Sequence, residues 1–273
     1  MSPKKSLGQN FLIDRRYVNR ILSTASLQSS DIVLEIGPGK GILTKNLAKL
    51  VEKVYAVEID ETLCSNLEAE FADQGHVKII NADARDVDTS HIGIDHVPYK
   101  FVANLPYYAA MPIVRRFLEF QHRPELMVIM VQKEVAQSMT ASPGDMTLLS
   151  VATQVFGSPR IVCNVPPKAF RPRPKITSSL VCIDVYESPL LSEESLGSFF
   201  TLVRAGFSSR RKQIHNSLKN SLNVSATEIE LILANASIDL TRRPQTLSVS
   251  EWGGLHRAFL LHCGNVEAEK DDH

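Results

Sequence analysis

The sequence is poor in the residues that form disulfide frameworks and metal sites, and it lacks a long apolar run. Its only cysteines are Cys64, Cys163, Cys182 and Cys263, four in 273 residues. They lie far apart, with no Cys-x-x-Cys pair and no histidine at ligand spacing, so we expect reduced thiols and neither a metal site nor disulfides. No apolar stretch approaches the roughly 20 residues of a membrane-spanning helix, and no membrane partner is expected.

An apolar targeting segment is also missing. The first 14 residues contain Lys4 and Lys5 but no apolar core, and Asp14 follows. Neither a secretory nor a transit peptide has this pattern, so we expect the cytoplasm. Hydrophobic residues make up 44% of the chain and charged residues 22%, as in ordinary globular proteins. At about 150 residues per domain, the length allows one large domain or one medium and one small.

The chain has no net charge, which alone argues against a strongly basic nucleic-acid-binding protein. The charges are nevertheless segregated, because residues 156–183 and 198–227 contain no acid. The cations of these two basic stretches are Arg160, Lys168, Arg171, Arg173 and Lys175 in the first, and Arg204, Arg210, Arg211, Lys212 and Lys219 in the second. Both stretches are expected to face a polyanion.

Short apolar runs alternate with helical patterns in the first half of the chain. The runs are residues 32–36, 54–57, 77–80, 101–103 and 127–131. Runs that are apolar almost throughout predict a parallel sheet with helices on both faces. Two further β-rich runs, 160–165 and 178–186, bracket a proline-rich loop. We expect them to complete a seven-stranded, mostly parallel sheet of Rossmann-like α/β type as a hairpin-like pair.

Helical patterns replace the strand patterns beyond Ser188. The predicted helices are residues 193–205, 209–222, 227–236 and 249–262. Ser225 with Glu228, and Ser248 with Glu251, have the spacing of capping boxes that begin the last two. The expected domains are therefore an α/β domain of residues 1–188, a small all-helical domain of residues 189–265 and a disordered acidic tail of residues 266–273.

A glycine-rich turn follows the first strand, with the sequence Glu35-Ile36-Gly37-Pro38-Gly39-Lys40-Gly41. A dinucleotide-binding fingerprint would place a small residue where Ile42 stands, so a pyrophosphate site fits poorly. The turn instead resembles motif I of class I S-adenosylmethionine-dependent methyltransferases. This resemblance implies S-adenosyl-L-methionine as the cofactor, with Gly37 and Gly39 beside it.

Two acidic residues end the next two strands. Glu58 follows the second strand and Asp83 follows the third. Each alone is more often a solvated strand-end acid. Together, beside the glycine turn at the carboxyl edge of one sheet, they are expected to bind the cofactor. Glu58 would accept hydrogen bonds from ribose hydroxyls, and Asp83 from the adenine amine.

The fourth strand ends in Asn104-Leu105-Pro106-Tyr107. Alone, this tetrapeptide is equally well a strand exit followed by a turn. At the cofactor edge it predicts a site for an aromatic amine. Asn104 Oδ1 and the carbonyl of Leu105 or Pro106 would accept the two amine hydrogens, while Tyr107 stacks on the ring. Catalysis would then consist mainly of positioning, without a general base.

The chain resembles the ribosomal RNA adenine dimethyltransferase family of the small subunit. The residues that carry the resemblance are 7–12, 35–44, 81–84, 104–108, 165–179 and 207–220. It implies dimethylation of two adjacent adenosines near the 3′ end of small-subunit rRNA, within an immature 30S-type particle, by a monomer. It also implies that Asn10 and Leu12 lie over the methionine end of the cofactor, near Gly37, Glu58 and Asn104.

The proline-rich segment 165–175 is expected to present Phe170 as a second aromatic wall, with Arg171, Arg173 and Lys175 as phosphate contacts. A rigid linker is the alternative. In the helix after Ser208, Arg211, His215 and Lys219 have the spacing of one face. We interpret this face, with Arg210 and Lys212, as an RNA contact, although a solvated face has the same pattern.

Three other functions fit part of the sequence. A large-subunit rRNA methyltransferase of the macrolide-resistance type would share the glycine turn and the Asn-x-Pro-aromatic motif. A non-catalytic RNA-binding ribosome-assembly factor would have no chemical need for the amine site. A methyltransferase acting on protein glutamine would leave the two basic stretches without a role. The small-subunit enzyme is the reading that uses every motif.

Overall fold

The computed structural model describes residues 9–209, 211–222 and 224–271. Two compact units divide the chain, one of Met1–Gln137 and Gly157–Glu187 and the other of Ser138–Phe156 and Ser188–His273. The helical unit therefore includes Ser138–Phe156 as well as the chain from Ser188 onwards. The end of the first segment contacts the second, because the Leu190 N–H donates to the Val155 carbonyl and Phe156 stacks on Phe200.

A seven-stranded sheet forms the centre of the first unit, in the order β4-β3-β2-β5-β6-β9-β7. Strands β2 to β6 are parallel, whereas β9 is antiparallel to both β6 and β7. The predicted seven-stranded, mostly parallel sheet is confirmed. The strands are β1 (Phe11–Leu12), β2 (Ile32–Ile36), β3 (Lys53–Glu58), β4 (Val77–Asn81), β5 (Lys100–Asn104), β6 (Leu126–Gln132), β7 (Gly157–Val165), β8 (Phe170–Arg171) and β9 (Ser178–Val185).

Four helices connect successive parallel strands and return the chain to the opposite edge of the sheet: α2 (Thr44–Leu47), α3 (Glu61–Glu70), α4 (Thr89–Ile92) and α5 (Ala110–Glu119). Helix α1 (Arg15–Thr24) precedes the first of these strands, and α6 (Lys133–Met139) follows the last. Aspartate caps begin three of them, because the carboxylates of Asp14, Asp60 and Asp88 accept from the second backbone N–H of the helix. Each cap fixes where the loop before its helix ends.

A two-stranded antiparallel sheet joins β1 to β8. Phe11 is opposite Arg171, and Leu12 is opposite Phe170. Leu12 and Phe170 are both buried in the core of the first unit. The N-terminal segment is thereby fixed against the proline-rich loop. The sequence patterns did not predict this pairing.

The second unit contains α7 (Leu148–Gln154), α8 (Glu193–Phe207), α9 (Ile214–Ser221), α10 (Ala226–Asn235) and α11 (Val249–Asp271). Trp252 is fully buried and stacks on Phe207. Both predicted capping boxes are present, at Ser225 with Glu228 and at Ser248 with Glu251.

Two helix boundaries differ from the prediction. Helix α9 begins at Ile214, so Arg211 lies in the turn before it and does not share a helical face with Lys219. Gln213 has extended backbone angles, and this ends the turn. Helix α11 continues to Asp271, where a disordered tail was expected from residue 266; residues 272 and 273 lie outside the described part. Within the described ranges, no helix is long and apolar enough to cross a membrane.

Candidate active site

A cleft lies at the carboxyl ends of β2, β3, β4 and β5. It brings together the residues predicted for the cofactor and for the amine, with the exception of Leu12. These residues are Asn10, Gly37, Gly39, Glu58, Asp83, Asn104, Leu105, Pro106, Tyr107 and Phe170. Ligands of open α/β sheets bind in this position.

The glycine turn approaches the cleft with its backbone. Gly37 and Gly39 have φ angles of +70° and +60°, which side chains other than glycine rarely adopt. A Cβ on Gly39 would also lie 3.0 Å from the ring of Phe11. The absence of side chains here leaves a cradle that a ligand can approach closely.

Glu58 is buried and braces the glycine turn. One carboxylate oxygen accepts from the N–H of Gly39 at 3.0 Å, and the other accepts from the N–H of Asp60 at 2.9 Å. Burial raises the pKa of Glu58, and the two backbone hydrogen bonds partly oppose that rise. Because each oxygen has a further lone pair, the carboxylate can still accept from two hydroxyl groups in the cleft.

Asp83 is held by a residue that the sequence patterns did not single out. The backbone N–H of Arg85 donates to Asp83 Oδ1 at 2.9 Å, and Arg85 Nε donates to both carboxylate oxygens at 3.0 and 3.1 Å. The hydrogen bonds from the Arg85 side chain lower the pKa of Asp83. Asp83 is therefore an ionised, oriented acceptor at the end of β4.

Asn104 is oriented by the N-terminal segment. Its Nδ2 donates to the backbone carbonyl of Asn10 at 3.1 Å. Because only the amide nitrogen can donate to a carbonyl, Oδ1 is the atom left to accept. The Pro106 carbonyl accepts from the N–H of Ala109 at 3.0 Å, and the Leu105 carbonyl takes no part in that turn. Of the two predicted carbonyl acceptors, that of Pro106 is already engaged in a turn, and Leu105 and Pro106 both line the cleft.

Two aromatic side chains line the same cleft. The Tyr107 hydroxyl hydrogen-bonds to Ser178 Oγ at 2.6 Å, which anchors the ring to the start of β9. Burial raises the pKa of Tyr107, so the hydroxyl is neutral. Phe170 is 2% exposed and is held by its pairing with Leu12. The walls therefore come from the loop after β5 and from the proline-rich loop.

Leu12 lines a second cavity, which shares Phe11, Gly37, Gly39 and Asn104 with the cleft. Glu35 also lines it, and its carboxyl is buried. Burial raises the pKa of Glu35 to about 8, and hydrogen bonding from Thr44 partly opposes that rise. The glycine-rich motif of residues 35–41 includes Glu35, but the spacing of that motif did not predict a role for this residue.

The residues predicted to contact RNA lie on both units. Arg171, Arg173, Lys175, Arg211, Lys212 and Lys219 are exposed. Arg210 lies outside the described residues. Within the described ranges, no group of three or more His, Cys, Asp or Glu residues is arranged to hold a metal ion.

Comparison with known proteins relates this chain to rRNA methyltransferases. A family model described as ribosomal RNA adenine dimethylase matches residues 1–253. The chain is 42% identical over 249 residues to ribosomal RNA small subunit methyltransferase A of Dehalococcoides mccartyi strain ATCC BAA-2266, covering 91% of this chain and 86% of the relative. It is 40% identical over 256 residues to the protein of that name in Clostridioides difficile strain 630, covering 92% and 89%.

Two solved structures are similar over nearly the whole chain. A dimethyladenosine transferase from Plasmodium falciparum matches with a TM-score of 0.80 and 26% identity, covering 92% of this chain and 98% of the other. The 23S rRNA methyltransferase ErmE matches with a TM-score of 0.73 and 28% identity, covering 91% and 99%.

Proposed function

The chain belongs to the ribosomal RNA adenine dimethylase family, and we propose that it methylates two adjacent adenosines in the 3′-terminal hairpin loop of 16S rRNA. S-adenosyl-L-methionine is the donor, and N6,N6-dimethyladenosine is the product. One observation carries the assignment to amine chemistry. Asn104 Nδ2 donates to the Asn10 carbonyl, which leaves the amide oxygen as an acceptor on a residue that lines the cleft together with Gly37 and Glu58.

The residues assigned to the cofactor have the chemistry needed to bind S-adenosyl-L-methionine. When bound, this cofactor supplies an electrophilic methyl group on a sulfonium. The backbone of Gly37 and Gly39 leaves room for it beside the turn. Glu58 accepts from the ribose hydroxyls with its free lone pairs, and Asp83 accepts from the adenine amine. Asn10 and Leu12 cover the methionine end.

The target base is held for in-line attack. Asn104 Oδ1 and the Leu105 carbonyl, with Pro106 fixing the backbone, accept the two N–H bonds of N6 and draw them out of the ring plane. Tyr107 and Phe170 hold the ring, and stacking is worth roughly 1–3 kcal/mol per base. As the N6–carbon bond formed, the sulfonium carbon–sulfur bond would break and S-adenosylhomocysteine would leave. N6 would become strongly acidic during this transfer and lose its proton to water, so no residue needs to remove a proton first. These catalytic residues act by positioning.

The substrate is proposed to be rRNA within an immature 30S-type particle, met by a monomer in the cytoplasm. Exposed cations supply the phosphate contacts in this proposal, together with Arg210, which lies outside the described residues. The exposed ones are Arg171, Arg173 and Lys175 near the cleft-lining loop, and Arg211, Lys212 and Lys219 in the helical unit. Neutralised phosphates release counterions, so RNA affinity should fall steeply with salt.

A second candidate is methylation of large-subunit rRNA. The similarity to ErmE favours it, but the relatives that are about 40% identical bear the small-subunit name. The two are separated by incubating the protein with labelled S-adenosylmethionine and either unmodified small subunits or large subunits, followed by nucleoside analysis. Labelled dimethyladenosine in the small subunit is expected. Label confined to the large subunit supports the second candidate, and RNA binding without label supports a non-catalytic assembly factor.

A further inference from the structure

The N-terminal segment that lines the cleft is fixed at its far end by a sheet. Residues 9–11 line the cleft, and Leu12 follows them into the core. Leu12 pairs with Phe170 across the sheet of β1 and β8, and both side chains are buried. The attachment continues at Ile13, whose N–H donates to the Ala169 carbonyl at 2.9 Å. Backbone hydrogen bonds and apolar burial therefore hold this end of the segment.

A side-chain hydrogen bond attaches the near end of the segment. Gln9 Nε2 donates to Asp60 Oδ2 at 3.0 Å, across 51 positions of the chain. Asp60 is buried, and its other carboxylate oxygen caps α3 by accepting from the Thr62 N–H at 3.1 Å. An amide donor on a carboxylate is a stronger pairing than one between two neutral groups. The segment is thus attached to the start of α3 as well as to β8.

Asp60 connects this attachment to the acid assigned to the ribose. The Asp60 N–H donates to one oxygen of Glu58 at 2.9 Å, and the other oxygen accepts from the Gly39 N–H at 3.0 Å. The ring of Phe11 packs against Gly39, where an added Cβ would lie 3.0 Å from it. These contacts form a circuit around Glu58 that begins at Gln9 and returns to Phe11.

Asn10 lies between the two attachments. Three peptide steps separate Gln9 from Leu12 and span at most about 11 Å, so the segment has little slack. The Asn10 carbonyl accepts from Asn104 Nδ2 at 3.1 Å, and this contact leaves Asn104 Oδ1 as the acceptor. Movement of the segment would therefore move the group that orients Asn104.

We propose that Gln9 is a positioning residue for methyl transfer. Its hydrogen bond to Asp60 closes residues 9–12 over the cofactor and holds the Asn10 carbonyl against Asn104. The inference rests on the proposed function, because it takes S-adenosyl-L-methionine to occupy the cleft. A cofactor enclosed in this way leaves when one attachment opens. The Gln9 attachment opens first, because it depends on a side chain, whereas the pairing of β1 with β8 is made by backbone and is buried.

The test uses full-length Gln9→Ala, Gln9→Glu and the double variant Gln9→Glu/Asp60→Asn. The first removes the donor, and the second brings two carboxylates together. In the double variant the amide at position 60 donates to the carboxylate at position 9, so the hydrogen bond is restored in the reverse direction and an amide oxygen still caps α3. Gln74→Ala is the matched control, because Gln74 is exposed, follows α3 and does not line the cleft.

Two rates are measured, together with the thermal midpoint of each variant. They are the dissociation rate of S-adenosylhomocysteine and the single-turnover methylation of unmodified small subunits at saturating S-adenosylmethionine. Gln9→Ala should release S-adenosylhomocysteine about 2- to 10-fold faster, as expected for one lost hydrogen bond, and Gln9→Glu faster still. Methylation should slow in both variants although the cofactor is saturating. The double variant should return both rates towards wild type, and Gln74→Ala should match wild type.

Equal dissociation rates for Gln9→Ala and Gln74→Ala would overturn the inference. A lower thermal midpoint of Gln9→Ala with both rates unchanged would also overturn it, because the contact would then be purely structural. So would a folded double variant that recovers nothing lost in Gln9→Glu. If wild type binds S-adenosylhomocysteine but does not methylate small subunits, the proposed function fails, and the dissociation rates still decide whether Gln9 closes the segment. If wild type does not bind S-adenosylhomocysteine, both fail.

Discussion

Asn104 donates its side-chain amide to the backbone carbonyl of Asn10, 94 residues earlier in the chain, at 3.1 Å. The contact turns a freely rotating amide into one whose oxygen has a fixed direction. It also makes the N-terminal segment part of the site, because that segment is itself held by the pairing of Leu12 with Phe170. The amine acceptor and one aromatic wall are thus supported by the same short sheet.

Replacement of Asn104 tests this arrangement. Asn104→Ala removes the acceptor, and methyl transfer should fall by about 10²-fold or more, the usual cost of losing one oriented hydrogen-bonding group. Asn104→Asp has the same shape but cannot donate to Asn10, so it should be similarly impaired. Single-turnover methylation measures the rate, and cofactor binding should change only modestly. Full activity of Asn104→Ala would refute the role.

Tyr107 has a ring and a hydroxyl with separable functions. Tyr107→Phe loses the hydrogen bond to Ser178 and leaves Ser178 Oγ buried, so it should lower the free energy of unfolding by about 1 kcal/mol with activity largely retained. Tyr107→Ala also loses stacking and should raise KM for RNA. Chemical denaturation and steady-state kinetics on both variants separate the effects. Equal KM values would contradict a stacking role.

Arg85 is expected to act on the cofactor through Asp83. In Arg85→Gln the pKa of Asp83 should return part of the way towards its ordinary value, because the side-chain hydrogen bonds that lower it are lost while the backbone N–H still donates. Asp83 would then take up its proton at a higher pH than in wild type. On acidification, S-adenosylhomocysteine affinity should therefore fall at a higher pH in the variant, as calorimetry would show.

Arg115→Gln is the control for Arg85. Arg115 also forms an ion pair, with Glu119 on α5, but it does not line the cleft. Its pH profile for cofactor binding should follow wild type. A profile of Arg85→Gln that coincides with this control would show that Arg85 does not set the charge of Asp83.

Local patterns predicted the features that are local in sequence. The apolar runs gave the strands, and the Ser225–Glu228 and Ser248–Glu251 spacings gave helix starts that the structure contains. The glycine turn and the acids at strand ends converge because parallel strands end at one edge. That convergence follows from periodicity and needs no knowledge of tertiary contacts.

Contacts between residues that are far apart in the chain left no comparable pattern in the sequence. The pairing of β1 with β8 joins residues about 160 positions apart, and two-residue strands have no detectable alternation. Asn10 was therefore placed by family resemblance alone. The start of α9 was misplaced because the cations before Ile214 continue a helical spacing, while the extended backbone of Gln213 interrupts the helix.

Glu35 should make the stability of the folded protein depend on pH, and the direction of that dependence can be predicted. Its pKa rises from 4.5 to about 8 in the folded state, through burial and then the nearby charge of Glu58. The folded chain thus binds more protons than the unfolded chain between these values, and stability must fall as pH rises. The contribution is fully present below about pH 4.5 and is lost as pH rises through 8.

Glu35→Gln removes this titration while preserving the shape of the side chain. Its thermal midpoint should exceed that of wild type by several degrees at pH 9 and approach it at pH 5. Glu52→Gln, at an exposed carboxylate, is the control and should follow wild type at both values. Melting curves across this range measure the difference. If the thermal midpoints of Glu35→Gln and wild type instead differ by the same amount at pH 5 and pH 9, Glu35 is ionised in the folded protein. The second cavity would then hold a negative charge beside Lys40.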